Sequence, residues 1–332
     1  MDNSELDNII KEYIDEKYSV EELHRGYAHK KWIITGENET IFLKSFNDIS
    51  KNRIEFINYI QDYLKLYTPN LIKNKKNCTY TQLNNKTYVA YELLNGKSIK
   101  KFEISQGVIE KIGTFLGKLH SKLNQIILQP YFTEISNLRI NENSIIKIEK
   151  LIRDKKEFKD KDYYEILKAK REILNKLPID TIDKANLKLS KQIVHGDFYL
   201  DNIIITDNTL KITDLDQVCI FYKMYEVIRG MMMIAYDENL NDIDNMSRIE
   251  SFILGYQKEN SIEDLNLSID LYLYTLASSM YCLQEKDWND ENKKKFAKTR
   301  FNMLKWLYNK KTTLIKNVER EDYERWDNHI KL

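Results

Sequence analysis

The sequence predicts a two-lobed α+β protein, and three observations carry that expectation. At 332 residues the chain is too long for one compact core and comfortable for two. Its first third is made of short β-rich runs separated by polar turns. The remainder has helical periodicity, interrupted by one embedded hairpin. Strands and helices segregated in this way define an α+β arrangement, with lobes expected at residues 1–95 and 96–332.

The elements follow in order. Residues 23–26, 31–35 and 40–46 read as a meander, with the polar turn Gly36-Glu37-Asn38 between the last two runs. Residues 50–67 carry Ile54, Ile57, Ile60 and Leu64 at helical spacing, and Pro69 lies beyond their end. Residues 79–83 and 87–93 flank Asn84-Asn85-Lys86, the signature of a hairpin turn. Past Gly96, residues 107–124 and the strongly charged 143–176 read as helices. Two β-rich runs, 203–206 and 210–213, then bracket Asp207-Asn208. Helical spacing resumes over 222–236, 246–259, 265–284 and 290–310.

Composition narrows the function. Lys plus Arg (52) nearly cancels Asp plus Glu (51), so no global field attracts nucleic acid or an anionic membrane. No apolar run approaches the roughly 20 residues needed to span a bilayer. The polar, acidic first 15 residues lack the pattern of a signal peptide. Cys78, Cys219 and Cys282 are widely spaced and odd in number, which fits neither a disulfide framework nor a zinc site. A reducing cytoplasm is the expected location.

The chemistry concentrates in His195-Gly196-Asp197-Phe198-Tyr199-Leu200-Asp201-Asn202, followed after a short hairpin by Asp214-Leu215-Asp216. Phosphoryl transfer asks little covalent chemistry of a protein. It needs a carboxylate near the attacking hydroxyl, oxygen ligands for Mg²⁺ and cations on the phosphates. An Asp followed five positions later by an Asn, with a second Asp one hairpin on, supplies the first two. The plainer alternative is that these polar residues cap a hairpin, as Asp and Asn often do.

Protein kinases carry H-R-D-x-x-x-x-N and then D-F-G. With Gly for Arg and Asp-Leu-Asp for D-F-G, this chain closely resembles the aminoglycoside phosphotransferase and choline kinase superfamily, most strongly over residues 190–236. The resemblance implies a protein-kinase-like fold, with a small antiparallel sheet and one helix in the first lobe and a larger helical second lobe. It implies that Asp197 is the catalytic base or orients the hydroxyl, that Asn202 and Asp214 bind Mg²⁺, and that His195 braces the catalytic loop. Asp216 supports the metal or binds it directly.

Such a fold needs a phosphate-binding lysine in its first third. Lys44, in Ile41-Phe42-Leu43-Lys44, occupies the strand position of the kinase V-A-I-K lysine; the alternative is an ordinary solvent-facing strand lysine. Glu55 is the first acid on the following helix and the expected partner of Lys44, with Asp62 as competitor. The turn around Gly26 is expected to cradle phosphates through backbone N–H groups. The stretch from Tyr91 to Gly96, with Glu92 and Leu94, is expected to link the lobes and meet the purine of ATP or GTP. His120 reads as a packed, hydrogen-bonded histidine. Glu226 and Arg229 read as a structural ion pair near the catalytic loop.

The C-terminal helices are rich in aromatics and acids: Tyr272, Tyr274, Tyr281, Glu285, Asp287 and Trp288, with Asp237 and Glu238 earlier. Around a cleft these suit a small hydroxylated, cationic acceptor; helical aromatics also commonly pack a core. An antibiotic kinase of the aminoglycoside phosphotransferase type is the leading expectation. A kinase for choline, ethanolamine, homoserine or a sugar shares every catalytic residue with it. A non-catalytic, spore-coat-type protein is the third reading, opposed by the presence of Lys44, Asp197, Asn202 and Asp214. Oligomeric state is not legible in the chain.

Overall fold

The computed structural model of the protein describes residues 3–24, 29–127, 148–150, 153, 160–207 and 209–330. They divide into two compact units. The first is drawn from Met1–Ile99 and Leu200–Val218; the second from Lys100–Gln125, the described residues between 148 and Tyr199, and Cys219 onward. The hairpin after the catalytic motif thus packs with the first unit, although it lies more than 100 residues downstream of it.

The first unit opens with helix α1 (Asn3–Lys11), then strands β1 (Ser19–Leu23), β2 (Lys31–Thr35) and β3 (Thr40–Asn47), helix α2 (Lys51–Tyr63), and strands β4 (Leu71–Ile72), β5 (Thr81–Leu83), β6 (Lys86–Glu92) and β7 (Lys97–Ser98). The order β1-β2-β3-β6-β4, with β5 also on β6, makes a six-stranded sheet, antiparallel throughout. The turn Asn84-Asn85 holds both residues at positive φ, 50° and 60°, the primed hairpin geometry whose twist matches the strands. Ser50 caps α2 by accepting from the N–H of Arg53.

Alternation along β3 decides what each face meets. Ile41 and Leu43 join Trp32, Ile34, Tyr88 and Ala90 under Ile9, Ile10 and Ile14, contributed by α1 and the residues just after it. The N-terminal segment, expected only to be polar, therefore carries an apolar stripe that covers one sheet face. Burial of each such Ile or Leu is worth about 2 kcal/mol. Phe46, on the opposite face, packs with Val89, Tyr91 and Ile54 of α2. Lys44 shares that second face, so covering it buries a charge.

Strands β9 (Ile203–Ile205) and β10 (Leu210–Ile212) form the hairpin that returns to this unit, and β7 pairs with β9. Gly96, just before β7, passes so close to β9 that a Cβ there would lie 2.6 Å from the Ile205 carbonyl oxygen. That close approach requires glycine.

The second unit is mainly helical: α3 (Gln106–Leu123), α4 (Lys161–Lys176), α5 (Thr181–Lys188), α6 (Lys223–Ala235), α7 (Asp242–Gln257), α8 (Leu265–Ser278), α9 (Glu285–Trp288) and α10 (Glu291–Ile330). A two-stranded ribbon, β8 (Lys191–Val194) with β11 (Cys219–Tyr222), is set among them. The long charged helix expected over 143–176 is described as a helix over Lys161–Lys176, capped by Asp160; most of its earlier part lies outside the described residues. Among the described residues no helix is long and apolar enough to cross a membrane.

Candidate active site

In the first unit the sheet delivers two ammonium groups to one aspartate. Lys31 of β2 and Lys44 of β3 are direct cross-strand partners. Like charges in that arrangement repel. Asp214 compensates them: Lys44 Nζ lies 2.9 Å from its carboxylate and Lys31 Nζ 3.6 Å. Lys44 also donates to Asp216 at 2.6 Å, and His29 Nε2 lies 3.1 Å from the same carboxylate. Lys44 is only 3% exposed, which rules out a solvent-facing lysine.

The turn holding the two aspartates is fixed from behind. Arg53 of α2 donates to the carbonyls of Asp216 and Val218. The N–H of Thr213 donates to the Asn202 carbonyl at 2.8 Å, tying the start of the hairpin to its end. Asp214 itself takes the left-handed conformation, φ 65° and ψ 62°. A non-glycine residue in that region is uncommon, and such residues collect at functional sites. Burial would push the Asp214 carboxyl up, but Lys44, by charge and hydrogen bond, and then Lys31 hold it well below the ordinary carboxylate range.

Glu55 is not brought to Lys44. It lies 3.7 Å from Lys51 and accepts from the Tyr80 hydroxyl at 3.4 Å. The carboxylates on Lys44 come instead from the hairpin, 170 and 172 residues away in sequence. Glu92 accepts from the backbone and side-chain amides of Asn70, and its own N–H donates to the Asn70 carbonyl. Leu94 is half-buried just past β6. Gly26 lies outside the described residues.

In the second unit the catalytic loop follows β8. Gly196 has φ 79°, which explains glycine where protein kinases carry arginine. Glu226 of α6, 2% exposed, accepts from the backbone N–H groups of His195 and Gly196 and bonds His120 Nε2 at 3.0 Å. The other ring nitrogen of His120 bonds the Tyr256 hydroxyl at 2.9 Å. Burial would raise the Glu226 carboxyl, but His120 and then His195 hold it below its ordinary value. An ionised carboxylate under the loop thus satisfies backbone donors that burial would otherwise leave unpaired.

Asp197 stands at the loop's tip. Its N–H donates to His195 Nδ1 at 3.2 Å, the bond through which His195 shapes the turn. Arg229 donates to the Asp197 carboxylate at 2.6 Å and to the Gly196 carbonyl at 3.0 Å. Glu226 and Arg229, expected to pair with each other, therefore take different partners: one holds the loop's backbone, the other its carboxylate. Three positions separate them on α6, and the loop passes between their reach.

Two of the aromatics expected to line an acceptor cleft are core residues: Tyr272 is 1% and Trp288 3% exposed. Asp287 is held by Lys293 at 2.8 Å, and Glu238 accepts from Thr299 and Asn302.

Ionised carboxylates with the amide oxygen of an Asn are the donor set a hard divalent cation takes, so Asp214, Asp216 and Asn202 fit Mg²⁺ in kind. Among the described residues no group of three or more His, Cys, Asp and Glu comes together to hold a metal. Any such site accordingly depends on an amide, phosphate or water oxygen beside the two aspartates.

An antiparallel-sheet unit, a mainly helical unit, a buried strand lysine and an Asp-bearing loop are the parts of a kinase-like α+β fold. Residues 19–243 match the phosphotransferase enzyme family APH, and the chain belongs to that family. The family is one of phosphotransferase enzymes. Solved structures share the chain's fold at low identity. Amicoumacin kinase hAmiN, in complex with AMP-PNP, Ca²⁺ and Ami, is 14% identical with a TM-score of 0.67, covering 92% of this chain and 94% of its own. Spectinomycin phosphotransferase APH(9)-Ia, in complex with ADP and spectinomycin, is 14% identical with a TM-score of 0.65 over 92% and 97%. A microcompartment-associated aminopropanol kinase is 12% identical with a TM-score of 0.62 over 94% and 98%. No curated protein matches the chain in sequence.

Proposed function

We propose that the protein uses Mg²⁺ and ATP, or GTP, to phosphorylate a hydroxyl of a small, amine-bearing molecule in the manner of aminoglycoside phosphotransferases. The observation that carries this reading is the buried Lys44 held between Asp214 and Asp216. A buried ammonium is costly unless paired, and here its partners are the two carboxylates that the sequence motif assigns to the metal.

In this reading residues 1–95 form the nucleotide-binding lobe, which Leu200–Val218 packs against, and residues 96–332 carry the catalytic loop and acceptor pocket. Lys44, with Lys31 beside it, binds nucleotide phosphates. Asp214 and Asn202 hold Mg²⁺, with Asp216 as third donor or support. The metal, when bound, offsets negative charge on the transferred phosphoryl group. Asp197 accepts the acceptor's hydroxyl proton, and Arg229 fixes its carboxylate so that an oxygen points in one direction. Glu226 and His195 keep the loop in shape. The turn at Gly26 and the stretch containing Glu92 and Leu94 complete the nucleotide site through backbone groups. Glu55, on Lys51 and Tyr80, takes its place beside Lys44 only by a rearrangement of α2, and Asp216 is the better partner in this conformation.

An amine-bearing acceptor is favoured by the likeness to aminopropanol and choline kinases and to spectinomycin phosphotransferase. A metabolic amino-alcohol kinase is the second reading, on the same likeness. A cytoplasmic location follows from the need for nucleotide. The test is ADP and GDP release with Mg²⁺ across aminoglycosides, spectinomycin, choline, ethanolamine, aminopropanol, homoserine and sugars. Turnover with one compound, reduced about 1,000-fold in Asp197→Ala while Mg-ATP still stabilises the variant, is the expected result. Turnover in Asp197→Ala close to wild type would overturn the assignment.

A further inference from the structure

A histidine shares the two aspartates with Lys31 and Lys44, and the chemistry above leaves it without a task. The β2–β3 ladder sets Lys31 opposite Lys44. The Ser45 N–H, donating to the Lys30 carbonyl at 2.9 Å, carries the strand contact one residue past that pair. Side chains alternate along an extended strand, so His29 shares the face of Lys31 and stands beside Phe46. The two rings lie 4.8 Å apart. From there His29 Nε2 lies 3.1 Å from Oδ2 of Asp216, the same oxygen that Lys44 Nζ meets at 2.6 Å. The other ring nitrogen, Nδ1, is buried without a hydrogen-bond partner among the described residues.

Ring packing does not account for a histidine here. A phenylalanine would make the same contact with Phe46 and leave no nitrogen unpaired in the interior, where a missing hydrogen bond is costly. What the histidine adds is a ring nitrogen beside a carboxylate. Lys44 cannot serve that carboxylate alone once it has a second duty. It also meets Asp214 at 2.9 Å, and it is the cation assigned to the nucleotide phosphates. The Asp216 side chain is 13% exposed, so water does little to replace a donor that leaves it. His29, short and held against Phe46, is already within reach.

We propose that His29 is a positioning residue of the metal and phosphate site: it holds the Asp216 carboxylate in place when Lys44 turns to nucleotide phosphates. The inference rests on the phosphotransfer reading, because it takes Lys44, Asp214 and Asp216 as the nucleotide and Mg²⁺ groups. The role belongs to the Nε2 hydrogen-bond donor, and the ring itself serves to aim it. Carboxylates that bind a metal are commonly oriented by such outer contacts, whose loss weakens metal affinity about 10–100-fold.

The experiment is thermal unfolding of the full chain at fixed ATP, and again at fixed GTP, with Mg²⁺ titrated in. Two variants separate donor from ring: His29→Phe keeps the contact with Phe46 and loses the nitrogens, whereas His29→Gln loses the ring and keeps an N–H donor of similar reach. Without nucleotide both should unfold close to wild type, since Lys44 still serves Asp216. With nucleotide the Mg²⁺ midpoint is expected to rise at least about tenfold in His29→Phe and to stay near wild type in His29→Gln. A wild-type midpoint in His29→Phe overturns the proposal while leaving the phosphotransfer reading intact. The reverse order, with His29→Gln impaired and His29→Phe intact, also overturns it and makes His29 a packing residue. Absence of any Mg²⁺-dependent stabilisation of the wild type by either nucleotide overturns the phosphotransfer reading, and this proposal with it.

Discussion

Lys44 and Lys170 are buried to nearly the same degree, 3% and 6% exposed, in surroundings of opposite design. Lys44 stands on a sheet face with Phe46 beneath it, its ring centre 4.9 Å from the ammonium, and two carboxylates in hydrogen-bond contact. Lys170 stands on a helix, with the Leu276 carbonyl in contact and the Arg300 guanidinium on the same narrow cavity. Among the described residues the first lysine is paired with carboxylates and the second is not. Burial alone therefore says little about what a charged residue is for; the partners decide. A cation paired with carboxylates is held in place ready to exchange its partners, whereas Lys170 spends its donor on a carbonyl at the C-terminal end of α8.

The comparison can be broken most decisively at Lys44. Lys44→Met leaves Asp214 and Asp216 side by side without their closest cation. Phosphotransfer is expected to fall at least about 100-fold, the scale of losing a preorganised charge at a reacting phosphate. Stability is expected to fall by about 2 kcal/mol, below the full cost of breaking a buried pair because Asp214 is 30% exposed. Steady-state rates and urea unfolding measure the two. An unchanged rate would remove Lys44 from the nucleotide site.

Lys170→Met should act in the opposite direction and through pH. With a folded value near 7 and an unfolded value near 10.4, Lys170 binds its proton more tightly in the unfolded chain. The unfolded state therefore holds more protons between these values, and wild-type stability gains from this group as pH rises from 7 to about 10. Below pH 7 both states are protonated and the folded protein bears the whole cost of the buried charge. The methionine variant is thus expected to be the more stable protein at pH 6, and its advantage should shrink by up to about 1.4 kcal/mol per pH unit above 7. Paired urea melts at pH 6, 8 and 9.5 read this out, and a pH-independent difference would show that Lys170 is not destabilised by its surroundings.

The smallest effect expected is a control that leaves both lysines untouched. Asn85→Gly, at φ 60° in the hairpin, should stabilise the protein by about 0.5 kcal/mol, since glycine meets no penalty in that conformation. It should shift neither activity nor the pH profile. A gain in one without the other tells stability and site chemistry apart in the first two variants.

The contrast also shows what the sequence made legible. The motif from His195 to Asp216 could be read because phosphoryl transfer demands particular residue types at fixed spacing, and Lys44 because it follows an apolar strand run. Asp216 as a partner of Lys44 could not be read, because the contact spans 172 residues and a helix acid, Glu55, stood nearer in the chain. Arg229 as the group holding Asp197 was hidden for a similar reason: two opposite charges three positions apart on one helix look like a pair. Lys170 was missed for a different cause. It lies among Lys168, Arg171 and Glu172, a run whose charge suggests a solvated helix face, although helical spacing sets position 170 on the buried stripe of Ile166, Leu167, Ile173 and Leu174. The apolar stripe of Leu6, Ile9, Ile10, Tyr13 and Ile14 was present in the sequence but masked by the acidic residues between its members. The ribbon of β8 and β11 joins segments separated by the whole catalytic hairpin, beyond the reach of local periodicity.

The ladder between β2 and β3 works as a ruler for charge. Its register sets Lys31 opposite Lys44, and the turn that fixes it is closed by the Gly36 N–H on the Glu39 carbonyl at 2.8 Å. Because side chains alternate with every residue, a slip of one position would carry Lys31 to the other face, among Trp32 and Ile34. The loss of one residue from that exposed turn, far from any catalytic group in sequence, would thus be felt at Asp214 as a missing positive charge while the sheet kept its outline.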